Sequence, residues 1–177
     1  MERKIYILEY FFLFPNRLFH IREIAKLKKI NHATVRNYIK RLEQEGHIMP
    51  KLTTPFTSYK ANTGSKKYLN LKMYYNLEKI RESGIVENLE KHFDYPTIVL
   101  FGSYSKAFDD EKSDVDLCII SEIKTLLELS SFKKIIKRDV SLHLFDKRKW
   151  IESKKKNPSL VNSICNGIVL SGQLEVL

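Results

Sequence analysis

Between Leu100 and Ile120 the chain reads LFGSYSKAFDDEKSDVDLCII, with a Gly-Ser pair at 102–103 and two aspartates, Asp114 and Asp116, one residue apart. Residues two apart in a strand point to the same side, so a strand opening at Asp114 presents both carboxylates together. Carboxylates that close repel one another unless a cation lies between them. A hard divalent ion with oxygen ligands suits the pair, Mg²⁺ or Mn²⁺ in its place, and Mg²⁺ so held also takes nucleotide phosphate oxygens. Gly102 lets the backbone approach a phosphate. Ser103 adds a hydroxyl where a starting helix exposes free N–H groups.

Positioning those residues requires a sheet. Thr97–Phe101 reads as a buried strand, Val115–Ile120 as a second, and Val140–Phe145 as a third with alternating exposure. Helices are expected at 103–108, 122–138, 147–155 and 158–166. Together they make a C-terminal α/β domain over residues 94–177, with a small mixed sheet.

The pattern Gly102-Ser103, ten residues, Asp114-x-Asp116, flanked by LFGSYSKAF and SDVDL, resembles the nucleotidyltransferase superfamily of DNA polymerase beta, and within it the minimal nucleotidyltransferases of archaea and bacteria. The resemblance covers about residues 97–172 and includes the closing NGIVLSG, Asn166 to Gly172. It implies that an NTP with Mg²⁺ donates a nucleoside monophosphate to an acceptor hydroxyl, on a protein or a small molecule, with release of pyrophosphate. In that reading Asp114 and Asp116 hold the metal, and Gly102 and Ser103 hold the nucleotide.

The family also carries a third carboxylate on a later strand. The matching stretch here is Asp139-Val-Ser-Leu-His-Leu-Phe145, in which residues 139, 141, 143 and 145 share one face. Its central positions are Ser141 and His143, and aligning Leu-His-Leu with the family's Val-Asp-Leu puts His143 in the acidic slot. Asp139 is on the same face, about 13 Å from residue 143 by strand rise. Neutral imidazole suits Mg²⁺ poorly but can serve as a general base toward an acceptor hydroxyl. The alternative is an ordinary strand histidine bonded to a neighbour. Two functions stay open: a transferase with Asp114, Asp116 and His143 as its catalytic residues, or a non-catalytic transcriptional regulator whose degenerate domain senses a nucleotide or binds a partner protein.

Upstream, Glu2–Phe14 is apolar almost all round and ends at Pro15, as a buried helix does. A short amphipathic helix follows at Ile21–Lys28. Asn31 is a suitable N-cap for a helix over His32–Glu45 that stops at Gly46. Val35, Tyr38, Ile39 and Leu42 share one face of it. His32, Thr34, Arg36, Asn37, Lys40 and Arg41 lie mostly off that face. His47–Lys60 then turns through Pro50 and Pro55 like a two-stranded ribbon. This order, strongest in Ile21–Ile48, resembles a winged helix-turn-helix, which implies that residues 32–45 enter the major groove of duplex DNA. The fold class is therefore α+β: a winged helix-turn-helix at 1–61, a helical connector at 62–93, and the nucleotidyltransferase-like domain at 94–177. In the connector, Asn62 or Thr63 is expected to cap a helix over Ser65–Ser83, and a shorter helix follows Gly84.

Charge supports this division. Of a net +10, residues 1–60 carry twelve Lys/Arg against five Asp/Glu, while residues 97–177 carry thirteen against eleven. A basic segment of that kind faces phosphate or is a solvated surface. The apolar run Ile5–Phe14 contains Glu9 and is too short to span a bilayer, so no membrane association is expected. Cys118 and Cys165 lack metal-ligand spacing and read as reduced core residues of a cytoplasmic protein. A homodimer is one open arrangement.

Overall fold

The structure, a computed structural model, describes residues 2–125 and 127–175. The chain divides into two compact units, Met1–Tyr75 and Asn76–Leu177. Among the described residues no helix is long and apolar enough to cross a membrane.

The first unit opens with α1 (Glu2–Leu13), α2 (Ile21–Lys28) and α3 (His32–Gln44). Asn31 caps α3, its side-chain oxygen accepting from the Ala33 N–H at 2.8 Å, which satisfies one of the donors a helix start leaves open. Val35, Ile39 and Leu42 face inward and join Ile7, Leu8, Phe11 and Phe12 of α1 in one core. An antiparallel ribbon follows, β1 (Ile48–Leu52) on β2 (Thr57–Ala61), in the register Ile48↔Ala61 to Leu52↔Thr57. Phe19 adds a bridge to Tyr59 on the outer side of β2. α4 (Lys66–Ser83) begins one residue later than the periodicity indicates. Its cap is neither Asn62 nor Thr63: the Ser65 hydroxyl accepts from the Tyr68 N–H at 3.4 Å. Asn62 instead donates its amide to the Gly46 carbonyl at 3.1 Å and ties down the turn after α3.

Not all of the positive charge in this unit faces outward. The Lys28 ammonium is buried in an ion pair with Glu9 and lies 4.0 Å from the Tyr6 ring centroid and 4.7 Å from that of Tyr10. Glu45, just past α3, accepts from Lys4, from Arg41 Nε at 2.9 Å, and faces His47 Nε2 at 3.4 Å. The Lys4 ammonium foremost, with Arg41, holds the Glu45 carboxyl at about 2 instead of the usual 4.5. A depressed carboxylate stabilises the fold above its unfolded pKa, and that contribution is lost as pH falls toward the folded value. Glu45→Gln is therefore expected to cost about 1 kcal/mol at pH 7, after allowance for solvent screening. Urea midpoints of the two proteins should converge as pH drops from 4.5 toward 2; a gap that stays constant over that range would remove the ion cluster as its source.

In the second unit α5 (Ile85–His92) leads to a four-stranded mixed sheet in the order β5-β4-β3-β6. Its strands are β3 (Thr97–Phe101), β4 (Val115–Ile120), β5 (Val140–Phe145) and β6 (Ile168–Ser171). β4 and β5 are parallel, and the other pairs are antiparallel. Strand alternation sorts the side chains onto two faces. Ile98, Leu100, Val115, Leu117 and Ile119 pack with Ile80, Ile85, Leu89 and Phe93 on one face. Val99, Phe101 and Cys118 pack on the other with Trp150, Val161 and Ile164, which come from α8 (Lys147–Lys156) and α9 (Pro158–Cys165). Both cysteines are free thiols, and burial pushes Cys118 up to about 12.

Four sequence expectations change here, the first being the helix expected at 103–108, which is only α6 (Gly102–Ser105). The helix expected over 122–138 is only α7 (Ser130–Ile136). Before it, Ser121 Oγ accepts from the Ile123 N–H at 3.1 Å, a local turn bond, and the Glu122 carboxylate accepts from the distant Lys147 N–H, also at 3.1 Å. Residue 126, in the same expected helix, lies outside the described residues. β5 does not alternate in exposure; all six residues are half-buried, since β5 lies at the sheet edge and is only partly covered on each face. Finally, Ile168–Ser171, which the sequence leaves without an element, is a strand on β3.

Candidate active site

The end of β3, the start of β4 and the middle of β5 meet at one corner of the sheet. Phe101, the last residue of β3, pairs with Asp116, and the chain then turns into α6 (Gly102–Ser105). Gly102 has φ +74°, and a Cβ placed on it would lie 2.3 Å from Asp116 Oδ2. The backbone at the Gly-Ser turn therefore runs directly against the Asp116 carboxylate, an approach only glycine allows. The short helix is closed by Ser105 Oγ donating to the Gly102 carbonyl at 2.9 Å and the Phe108 N–H donating to the Ser103 carbonyl at 3.0 Å. Ser103 is half-buried beside this turn.

β4 opens at Val115, one residue later than the sequence suggests, so Asp114 lies just before the strand, and alternation puts Asp116 on the face of Cys118 and α8 rather than that of Val115 and Leu117. In the parallel ladder Asp116 lies across from Ser141, and His143 lies across from Cys118. Alignment by residue type puts His143 in the acidic slot; the ladder puts Ser141 opposite Asp116. Both reach the pair. Ser141 Oγ donates to Asp114 Oδ2 at 3.3 Å, and His143 Nε2 stands 3.7 Å from Asp116 Oδ1. The His143 ring also meets Phe101 edge-on, with centroids 5.1 Å apart. Asp139 takes no part: its carboxylate is exposed and pairs with Lys133 at 2.5 Å.

Burial raises the Asp116 carboxyl above the usual range, the Asp114 charge adds to this, and His143 works against it. Neither aspartate has a lysine or arginine partner among the described residues. Two adjacent oxygen donors of like charge, one of them held in an unfavourable ionised state, form a set that suits a hard divalent cation. They would supply part of its coordination: among the described residues no group of three or more His, Cys, Asp or Glu is arranged to hold a metal ion. Phosphate oxygens of a nucleotide at the Gly102–Ser103 turn would complete it.

A cleft of about 470 Å³ in the same unit opens at the other end of β3 and β4, between Pro96, Thr97, Ser121, Lys147 and Trp150. It contains none of the residues just described.

In the first unit Thr34, Arg36, Asn37, Lys40 and Arg41 are exposed along α3, and His32 is half-buried at its start. Arg41 is engaged by Glu45 at 2.9 Å, whereas Arg36 and Lys40 have no ion-pair partner among the described residues.

A small mixed sheet with a Gly-Ser turn after one strand and paired aspartates on its antiparallel neighbour fits a nucleotidyltransferase-like domain. The family model described as "Polymerase beta, Nucleotidyltransferase" matches residues 83–175, more than half of the chain. The chain belongs to that nucleotidyltransferase family. A comparison with curated proteins gives no match.

Proposed function

We propose that this protein binds an NTP with a divalent cation at Gly102, Ser103, Asp114 and Asp116 and transfers its nucleoside monophosphate to an acceptor hydroxyl. The observation that carries this reading is the contact between the Gly102 backbone and the Asp116 carboxylate, within the family-matched segment. It brings the Gly-Ser turn, with its N–H and hydroxyl donors, directly beside the Asp116 carboxylate. A bound Mg²⁺ supplies charge neutralisation to the phosphates. Around it the protein's own groups have separate tasks. The turn at Gly102 and Ser103 offers backbone N–H and hydroxyl donors to the phosphates, and Ser141 orients Asp114 by donating to Oδ2. The His143 imidazole, whose Nε2 faces Asp116, accepts the proton of the acceptor hydroxyl as that hydroxyl's oxygen bonds to the α-phosphorus. The bond from that phosphorus to the β-phosphate bridging oxygen breaks, and pyrophosphate leaves. Incubation with labelled NTPs and Mg²⁺ tests this. Label transfer lost in Asp114→Ala and Asp116→Ala supports it, and binding without turnover removes the enzyme.

One observation favours a second reading. Ser141 and His143 stand where the family resemblance implies a third carboxylate, and a weaker negative field would leave a site that senses NTP–Mg²⁺ without fast turnover.

For the first unit we propose a winged helix-turn-helix that lays α3 in the major groove, with Arg36, Asn37 and Lys40 toward bases and phosphates and the β1–β2 ribbon as the wing. Support comes from the exposed basic face of α3, opposite its buried Val35, Ile39 and Leu42. Arg36→Ala together with Lys40→Ala is expected to weaken duplex binding by about 1–3 kcal/mol and to lower the salt slope by about 2. Unchanged affinity and slope across a salt series would exclude α3 as the reader.

A further inference from the structure

Three charged or polar side chains near the candidate active site are buried and make none of its contacts. Asp109 is 2% exposed, Arg138 6% and Asn76 2%. Arg138 Nη2 lies 3.6 Å from Asp109 Oδ2. Asn76 Nδ2 donates to Asp109 Oδ1 at 2.8 Å and to the Tyr104 carbonyl at 2.9 Å. Each contact falls on a segment that delivers part of the site. Tyr104 belongs to α6, which carries Gly102 and Ser103. Asp109 is in the loop between α6 and Asp114. Arg138 lies just before β5, which carries Ser141 and His143, and the next residue's carbonyl accepts from the Val115 N–H at 2.8 Å.

A buried ion pair is an inefficient stabiliser, because desolvation cancels much of the attraction and an apolar pair of similar volume is often as stable. What it does provide is geometry: fixed partners at fixed distances, which a hydrophobic contact specifies less well. We infer that Asp109 and Arg138, with Asn76, are positioning residues. The buried pair fixes the spacing between the Gly102–Ser103 turn, the Asp114/Asp116 pair and β5. This rests on the nucleotide-binding reading above.

The test uses the full chain and three measurements: thermal unfolding, the Mg²⁺ concentration for half-saturation with ATP, GTP, CTP or UTP in turn, and amide exchange of the ligand-free protein. Asp109→Asn keeps the shape and an oxygen for Asn76 while removing the charge. It is expected to raise the Mg²⁺ half-saturation at least about tenfold, within the scale of a displacement of about 1 Å among the groups that meet the ligand. It should also speed exchange in residues 103–116 and 140–143 while β3 stays protected. The apolar double variant Asp109→Leu/Arg138→Met is expected to recover thermal stability without recovering the Mg²⁺ half-saturation. Recovery of both together would make the pair a general stabiliser and overturn the inference, as would Asp109→Asn with unchanged exchange. If the unmodified protein binds none of the four nucleotides, the nucleotide reading fails, and exchange in the ligand-free protein alone decides the clamp. Faster exchange confined to those segments supports it; unchanged exchange overturns it.

Discussion

Asp116→Asn is expected to lower nucleotidyl transfer by about three orders of magnitude, because the carboxylate's share of holding the cation is worth several kcal/mol in the transition state. The same substitution should leave the ligand-free protein at least as stable. Asp116 has a raised carboxyl pKa through burial and the neighbouring Asp114 charge. Its ionised form is therefore disfavoured by folding, and a neutral amide removes that cost at neutral pH. Loss of transfer with a maintained or higher melting temperature is the combined result to look for. Transfer that survives Asp116→Asn would remove the carboxylate pair from the reaction. The converse variant, Ser141→Asp, introduces an acid directly across from Asp116. It should raise turnover at least about tenfold if a third carboxylate is what the site lacks, and lower the stability of the ligand-free protein by adding a third like charge.

Gly102→Ala is the second substitution with a large expected effect, and it separates stability from function in another way. At φ +74° an alanine is strained, at a cost of about 1–2 kcal/mol. For a domain of about this size that corresponds to a melting-temperature drop of several degrees, with about 4–8 °C per kcal/mol. The larger effect is local. The new Cβ would stand 2.3 Å from Asp116 Oδ2 and 3.3 Å from its Cγ, so the carboxylate must rotate away from the turn. Nucleotide affinity measured with Mg²⁺ is expected to fall at least about a hundredfold, well beyond the stability change. An affinity loss no larger than the change in folding free energy would mean that the Gly102–Asp116 contact does not form the phosphate site.

Much of this is readable without coordinates, because it is local. The two-residue period of a strand puts Asp114 and Asp116 on one side wherever the strand goes, and the apolar run Thr97–Phe101 places a buried strand ahead of Gly102. The Asn31 cap and the inward face Val35, Ile39, Leu42 follow from helical spacing in the same way; the cap, the inward face and the buried strand Thr97–Phe101 are found as such, while β4 itself starts only at Val115. The failures are also consistent. The helix expected across 122–138 shrinks to Ser130–Ile136, and Glu122, at its expected start, is drawn instead to the Lys147 N–H, far along the chain. No pattern within the segment announces that partner.

What the tertiary structure alone decides is the company those local elements keep. Parallel pairing of β4 with β5 aligns Val115 with Val140, and that single choice sets Ser141 across from Asp116 and His143 two pairs further on, across from Cys118. A strand's own sequence carries its period but not its offset against a neighbour reached through a long connection, so residue type alone points to the histidine. Asp109, Arg138 and Asn76 are three polar residues spread over more than sixty positions, and in sequence each looks like ordinary solvated surface. Burial and the 2.8 Å and 3.6 Å contacts among them exist only once α4, the loop after α6 and the entry to β5 have come together. The sequence determines where a phosphate and a cation could be met. The register and the buried supports behind it are long-range properties, and only folding assigns them.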